Sequence, residues 1–130
     1  MAGIKIVTDS TADIPLGLAH ELGIEVVPMY LHVGEQTFRA GLDITNDQFY
    51  QWMQEGRIKA TTSSPPPIMY EQLYRRLTPE YDYIFSLHLS GRLGSTCRAA
   101  QQARSRLPAS ATRIEVIDTK LASMGLGLVV

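Results

Sequence analysis

Apolar positions fall into short runs separated by amphipathic stretches, and the spacing predicts alternating strands and helices. Residues 4–7 (Ile-Lys-Ile-Val) read as a short buried strand that Thr8, Asp9 and Ser10 stop. A helix over residues 15–22 follows, with Thr11 or Asp13 as its cap, Pro15 in its first turn and Gly23 just past its end. Residues 24–33, rich in Val and Ile, read as one strand. Gly34 and Glu35 turn the chain, and residues 37–40 return as a short edge strand. Thr45, Asn46 and Asp47 start a helix that runs to Glu55 and puts Phe49, Trp52 and Met53 on one face, with Trp52 in the core. Thr61, Thr62, Ser63 and Ser64 form a hydroxyl-rich loop ahead of Pro65, Pro66 and Pro67. A helix over residues 67–77 buries Ile68, Leu73 and Leu77, and a strand over 83–89, a helix over 95–107 and a strand over 113–117 complete the pattern. This is the period of right-handed βαβ units, so the expected fold is α/β, an open and mainly parallel sheet flanked by helices.

The stretch from Tyr81 to Thr96 carries the clearest chemistry. An apolar run ends abruptly in Ser90-Gly91-Arg92-Leu93-Gly94-Ser95-Thr96, and a helical pattern starts at once. A strand that feeds a hydroxyl-rich turn at a helix N-terminus suits an anion, because N–H groups, hydroxyls and the helix dipole converge there. Ligands of open parallel sheets bind beyond the carboxyl ends of the strands. The segment Thr8-Asp9-Ser10-Thr11, the loop from Ser90, and Asp118-Thr119 all follow strands directly, and the Thr61 to Ser64 loop is expected to join them. One such cluster alone reads as a helix cap or a turn. Their repetition at successive strand ends reads as a pocket for a small anionic head group.

Composition narrows the classes. The 130 residues suit one domain, and 45% hydrophobic with 19% charged residues is a globular balance. The net charge of −1, from 12 basic and 13 acidic residues, argues against nucleic acid as a partner. Arg98, Arg104 and Arg106 read as the wet face of one helix. The single cysteine, Cys97, rules out an internal disulfide, fits a reducing cytoplasm and reads as structural. The first residues, Met1 to Val7, do not read as a signal peptide, and no apolar segment approaches the ~20 residues of a membrane span. His20, His32 and His88 lack ligand-type spacing with Asp or Cys, so no metal site is expected. The apolar run from Ser123 to Val130 reads as the start of a helix leading into a second α/β domain.

Six segments in order resemble the N-terminal domain of the DegV family of bacterial lipid-binding proteins. They are Thr8-Asp9-Ser10-Thr11-Ala12-Asp13-Ile14-Pro15, Val27-Pro28, Gly41-Leu42-Asp43-Ile44, Thr62-Ser63-Ser64-Pro65, the Tyr81 to Thr96 stretch, and Val116-Ile117-Asp118-Thr119 with Ser123-Met124-Gly125-Leu126-Gly127 after it. The resemblance implies one long-chain fatty acid, held between this domain and a second one, and no other cofactor. It also implies a cytoplasmic carrier, not itself an enzyme and not inserted in a membrane, that presents the carboxylate to a separate fatty acid kinase subunit for acyl-phosphate formation. The carboxylate contacts it implies fall on Thr61, Thr62, Ser63, Ser90, Gly94 and Ser95, with Asp9, Ser10, Arg92, Asp118 and Ser123 in the supporting loops. Thr62 and Ser95 are expected to hold the head group, with Ser90 or Thr61 assisting.

One departure stands out: the family usually has Leu-Ser-Gly-Thr where this chain has Leu93-Gly94-Ser95-Thr96. The carboxylate-contacting Ser therefore falls on Gly94, with a hydroxyl displaced to Ser95. Gly91 likewise stands where a second Ser is usual, and Arg92 where Lys is frequent. Two rival classes remain. A serine hydrolase would use Ser90 or Ser10 as nucleophile, His88 as base and Asp9 as orienter, but no Gly-x-Ser-x-Gly surrounds either serine. A nucleotide or small-anion module would need a glycine-rich phosphate loop, and Gly125-Leu126-Gly127 lacks both the third glycine and a Walker lysine.

Overall fold

The computed structural model describes residues 3–56, 59–110 and 112–130. Met1 and Ala2, part of the N-terminal reading above, lie outside the described residues. Four parallel strands form the main sheet: β1 (Ile4–Asp9), β2 (Glu25–Val27), β6 (Tyr83–His88) and β7 (Arg113–Asp118), in the order β2-β1-β6-β7. A second, antiparallel sheet is built from β3 (Tyr30–Val33), β4 (Gln36–Arg39) and β5 (Ala60–Ser63), with β3 in the middle. Among the described residues, α1 (Leu16–Glu21), α2 (Asn46–Gln54), α3 (Pro67–Leu77) and α4 (Thr96–Arg106) connect strands, and α5 (Ser123–Gly127) follows β7. A single 3₁₀ turn, Ser10–Ala12, follows β1. The α/β reading with an open parallel sheet therefore holds.

The core lies between the main sheet and the α3–α4 pair. Val7, Ile84 and Ile114 project from β1, β6 and β7 against Tyr70, Leu73, Tyr74 and Leu77 of α3 and Ala99, Ala100 and Ala103 of α4. The alanines let α4 approach α3 and the sheet closely. Arg98, Arg104 and Arg106 are exposed on its outer side, as their spacing predicts. Cys97 is buried and free, and burial raises its thiol pKa, which suits a structural residue.

Several expectations are corrected. Residues 24–33 are two strands in two sheets, because Pro28 lacks a ladder donor and the chain leaves the main sheet there. The hydroxyl loop at Thr61 is strand β5, paired to β3, so it is not an end of a neighbouring parallel strand. Helix α1 is entered through Pro15 without a side-chain cap; Asp13 instead ends the 3₁₀ turn in the left-handed region at φ 54°. Helix α2 buries none of its residues fully: Trp52 and Phe49 are half-buried, Met53 is exposed, and Trp52 packs edge-on against Phe38 at 5.8 Å. Ile68 is exposed on α3, where Tyr70 and Tyr74 take the buried face. His88, the base of the hydrolase reading, is fully buried.

Candidate functional site

The strand order places a topological switch point in the main sheet. From β1 the chain moves outward to β2 on one side, while β6 and β7 lie on the other. Loops leaving the carboxyl ends of β1 and β6 therefore diverge, and a crevice opens between them. Asp9 and Ser10 stand at one lip; Leu89 and Ser90 stand at the other.

A cavity of about 640 Å³ opens beside this crevice, between the β1 loop and the second sheet. Ser10, Thr11 and Met29 border it at the main sheet, and Thr62 and Leu31 border it at the second sheet. Ile14, Leu16, Phe49 and Tyr50 supply an apolar wall, and the volume is in the usual range of ~300–1,000 Å³ for small-molecule sites. No Lys or Arg lines it among the described residues, and its one charged side chain, Asp13, accepts a hydrogen bond from Ser123.

The pleat of β5 divides the expected hydroxyls. Thr62 pairs with Leu31 in the ladder and shares its face, which is the cavity face. Thr61 pairs with His32 on the opposite face, where Ser63 Oγ meets His32 Nε2 at 2.7 Å. Ser64, just past the strand, gathers the α4 N-terminus: Ser95 Oγ donates to its Oγ at 2.9 Å and Thr96 Oγ1 at 3.1 Å. Thr96 Oγ1 also approaches the cavity-lining Met29 Sδ at 3.5 Å. Ser64, Ser95, Thr96 and Met29 thus link the α4 N-terminus to the cavity edge. Ser64 and Thr96 were not among the expected contacts. Their signal was present in the sequence as hydroxyls flanking Ser63 and Ser95.

The remaining expected residues have separate tasks. Ser10 Oγ accepts from Met29 N–H at 2.9 Å, which ties the β1 loop to the cavity wall. Ser90 is nearly buried, and its Oγ accepts from Arg92 N–H at 3.3 Å. The Arg92 side chain is exposed. Asp118 accepts from Gly91 N–H at 3.2 Å, and a Cβ at Gly91 would lie 2.8 Å from that carboxylate oxygen. A Cβ at Gly94 would lie 3.1 Å from Leu89 Cδ2. The two glycines that depart from the expected serines are therefore fitted to their neighbours.

Below the crevice lies a chain of buried polar groups. Tyr74 O–H donates to Ser86 Oγ at 2.7 Å, Ser86 Oγ meets His88 Nε2 at 2.6 Å, and His88 Nδ1 meets Asp9 Oδ2 at 2.9 Å. Asp9 also accepts from Leu89 N–H at 3.3 Å and from Thr11 N–H at 2.9 Å, and from the Thr11 hydroxyl. Burial works to raise the Asp9 carboxyl pKa, but the donors from His88 and Thr11 outweigh it and hold it below its ordinary value. Asp9, His88 and Ser86 follow the order of a hydrolytic triad. All three are fully buried, and Tyr74 closes the open end. Both ring nitrogens of His88 are engaged inside the core, so His88 serves neither Ser10 nor Ser90 as a base.

A second cavity of about 580 Å³ lies at the far end, where α3 and α4 finish, with Arg75, Arg104 and Arg113 on its walls. Arg75 and Arg113 are paired with Glu71 and Glu115. It holds none of the expected site residues. No helix among the described residues is long and apolar enough to cross a membrane.

Comparison with known proteins gives a consistent result. The model of a family described as "Uncharacterised protein, DegV family" matches residues 3–130. A DegV domain-containing protein of Caldanaerobacter subterraneus subsp. tengcongensis is 33% identical over 130 residues, covering 100% of this chain and 45% of its own length. The chain thus spans less than half the length of that relative. Among solved structures, a DegV family protein from Thermus thermophilus, described for its fatty acid binding, has 38% identity and a TM-score of 0.85, covering 97% of this chain and 44% of its own. DegV of Bacillus subtilis, described as a fatty acid binding protein, has 28% identity and a TM-score of 0.90, covering 98% and 45% respectively.

Proposed function

The chain belongs to the DegV family, and we propose that it contributes one wall of a site for a long-chain fatty acid. The observation that carries this reading is the cavity of about 640 Å³ at the switch point, apolar along one side and bordered by hydroxyls at the other. A carboxylate leaving water must be hydrogen-bonded. With no cation in the lining among the described residues, neutral donors take that role: Thr62 on the cavity face, with Ser95 and Ser64 beyond Met29. Asp13 repels a second carboxylate, so the head group belongs at the Thr62 end and the tail runs along Ile14, Leu16 and Phe49. At ~0.8 kcal/mol per buried CH₂, the tail supplies most of the affinity and the head group sets direction. Solved relatives described as fatty acid binding support the ligand class.

We further infer a carrier role in the cytoplasm, in which the bound carboxylate is offered to a separate fatty acid kinase that forms the acyl phosphate. Thr61, Ser63 and Ser90 are assisting residues at most, since the first two face away from the cavity and the third is occupied by its own loop.

The test is native mass spectrometry, with organic extraction, of the intact protein purified from bacteria. One co-purified fatty acid per chain is expected. An empty protein that also refuses added fatty acid refutes the ligand class. Thr62→Val should then weaken binding by about tenfold or more, the worth of one hydrogen bond to a charged group (~1.5–3 kcal/mol). Unchanged affinity would remove Thr62 from the head-group site.

A further inference from the structure

The buried chain from Tyr74 to Asp9 ends at the β1 loop, whose Ser10 and Thr11 line the cavity. We propose that His88 is a positioning residue of that site: its Nδ1–H clamps the Asp9 carboxylate, and Asp9 in turn fixes both loops at the switch point. The inference rests on the fatty-acid reading and adds what holds that site in shape.

Tyr74 gives its hydroxyl proton to Ser86, and burial raises its phenol pKa, so that proton stays in place. Ser86 Oγ, already accepting, has its own proton to give, and His88 Nε2 is the acceptor 2.6 Å away. Nε2 therefore carries no proton, and the ring proton resides on Nδ1, facing Asp9 at 2.9 Å. Every donor in the chain has an acceptor in this one arrangement. Reversing the direction would set a bare Nδ1 against a carboxylate.

Asp9 transmits the constraint to both lips of the crevice. On the β1 side it caps the 3₁₀ turn through Thr11, and Ser10 and Thr11 of that turn line the cavity. On the β6 side it holds Leu89 N–H, and the Leu89 side chain lies against Gly94 in the loop that leads to Ser95. The main chain of His88 adds a third tie, since its carbonyl accepts from Thr119 N–H at 3.3 Å and from Thr119 Oγ1 at 2.8 Å. The ring also meets Tyr70 of α3 edge-on at 5.1 Å. The His88 side chain thus joins the ends of β1 and β6 to the helix that follows β5, and its carbonyl adds the end of β7. A merely structural residue would support head group and tail alike. A positioning residue should matter most to the ligand whose carboxylate must meet hydroxyls placed to within a few tenths of an ångström.

The experiment compares oleate with oleyl alcohol, which shares the tail and lacks the carboxylate, on the intact protein. His88→Leu should cut the preference for oleate over the alcohol by about tenfold or more, while alcohol binding stays within about threefold. His88→Asn, whose amide N–H can replace Nδ1–H, should retain most of the preference. An unchanged preference in His88→Leu, or an equal loss for both ligands, overturns the proposal and leaves fatty-acid binding standing. A wild-type protein that binds neither ligand removes the fatty-acid reading itself, and this inference with it. Should His88→Leu fail to fold, Ser86→Ala is the second variant: it frees Nε2, keeps the Asp9 clamp in place and should lower the preference less than Asp9→Asn does. Equal losses in those two overturn the proposal. Long-range ¹H–¹⁵N spectra of the wild-type imidazole supply an independent readout. A protonated Nδ1 with a bare Nε2 is expected, and the opposite tautomer overturns the proposal.

Discussion

Asp9→Asn is the substitution on which the buried network makes its most specific demand. The carboxylate accepts from Thr11 N–H, the Thr11 hydroxyl, His88 Nδ1 and Leu89 N–H. An asparagine keeps one oxygen, which can serve Thr11, but it turns an NH₂ group toward His88 and Leu89. His88 can respond only by moving its proton to Nε2. Ser86 must then donate to Tyr74, and the Tyr74 hydroxyl loses its acceptor. Leu89 N–H loses its acceptor outright. Two buried donors are left unpaired, at ~1–3 kcal/mol each. The expected loss is about 2–5 kcal/mol from a domain stability of ~5–15 kcal/mol. Urea denaturation at pH 7, followed by circular dichroism, measures it. The pH dependence gives a second check. The Asp9 pKa is lowered in the folded state, so its contribution is complete above the unfolded carboxyl value of ~3.9 and is lost as pH falls through the lower folded value. The gap between wild type and variant should therefore narrow in acid. A variant within ~0.5 kcal/mol of wild type at pH 7, or a gap that persists unchanged to pH 3, would refute the clamp.

Five other substitutions follow from the packing. Tyr70 Oη and Thr8 Oγ1 are buried hydroxyls without a partner among the described residues, so Tyr70→Phe and Thr8→Val should leave stability unchanged or raise it by up to ~1 kcal/mol; a loss beyond that in either melt contradicts the assignment. Thr45 and Gln48 form a complete capping box, and Thr45→Ala should cost α2 about 1 kcal/mol, seen as faster amide exchange confined to residues 46–54. A Cβ on Gly127 would lie 2.5 Å from the Ala12 carbonyl oxygen, whereas one on Gly125 meets nothing within 4 Å. Gly127→Ala should cost ~1–3 kcal/mol and lift α5 off the 3₁₀ turn, while Gly125→Ala is neutral or mildly stabilising; equal thermal shifts for the two would contradict that contact.

How much of this was legible in the sequence depended on whether apolar period carried the information. Strands β1, β6 and β7 and helices α3 and α4 are marked by it, and their limits fall close to the expected ones. Strand β5, Ala-Thr-Thr-Ser, has no apolar period and exists because β3 offers it a ladder, so it read as a loop. Once it is a strand, the period of two forbids Thr61, Thr62 and Ser63 from sharing a face, and only Thr62 reaches the cavity. The break at Pro28 had a signal, the missing N–H, which the surrounding valines outweighed. His88 is the instructive case. Its parity matches Ile84 and Ser86 on the buried face of β6. What makes burial affordable is Asp9, 79 residues earlier, and no local pattern contains that pairing.

The departure at Gly91 and Gly94 acquires a physical meaning from the hydrogen bonds of that loop. Backbone recognition alone is one way to bind a carboxylate where serines are replaced by glycines. Here Gly91 N–H is held by Asp118, Arg92 N–H by Ser90 Oγ, and the N–H groups of Leu93 and Gly94 by the Ser90 carbonyl. The loop spends its own donors on keeping its shape. What remains at this edge is the α4 N-terminus, which no side chain caps, and the hydroxyls of Ser95 and Thr96, which meet Ser64 Oγ at 2.9 and 3.1 Å. Ser95 Oγ donates to Ser64 Oγ, Thr96 Oγ1 shares its proton between Ser64 Oγ and Met29 Sδ, and the single proton of Ser64 is left to be given onward. An arriving carboxylate would accept the Ser64 O–H hydrogen bond and draw the other two hydroxyls into line behind it. On the proposed fatty-acid reading, Ser64 across the loop stands in for the serine that the loop lacks. On this view Ser64→Ala should weaken carboxylate binding at least as much as Ser95→Ala, by about tenfold, in the same oleate titration; a loss in Ser95→Ala alone would return the donor to the loop.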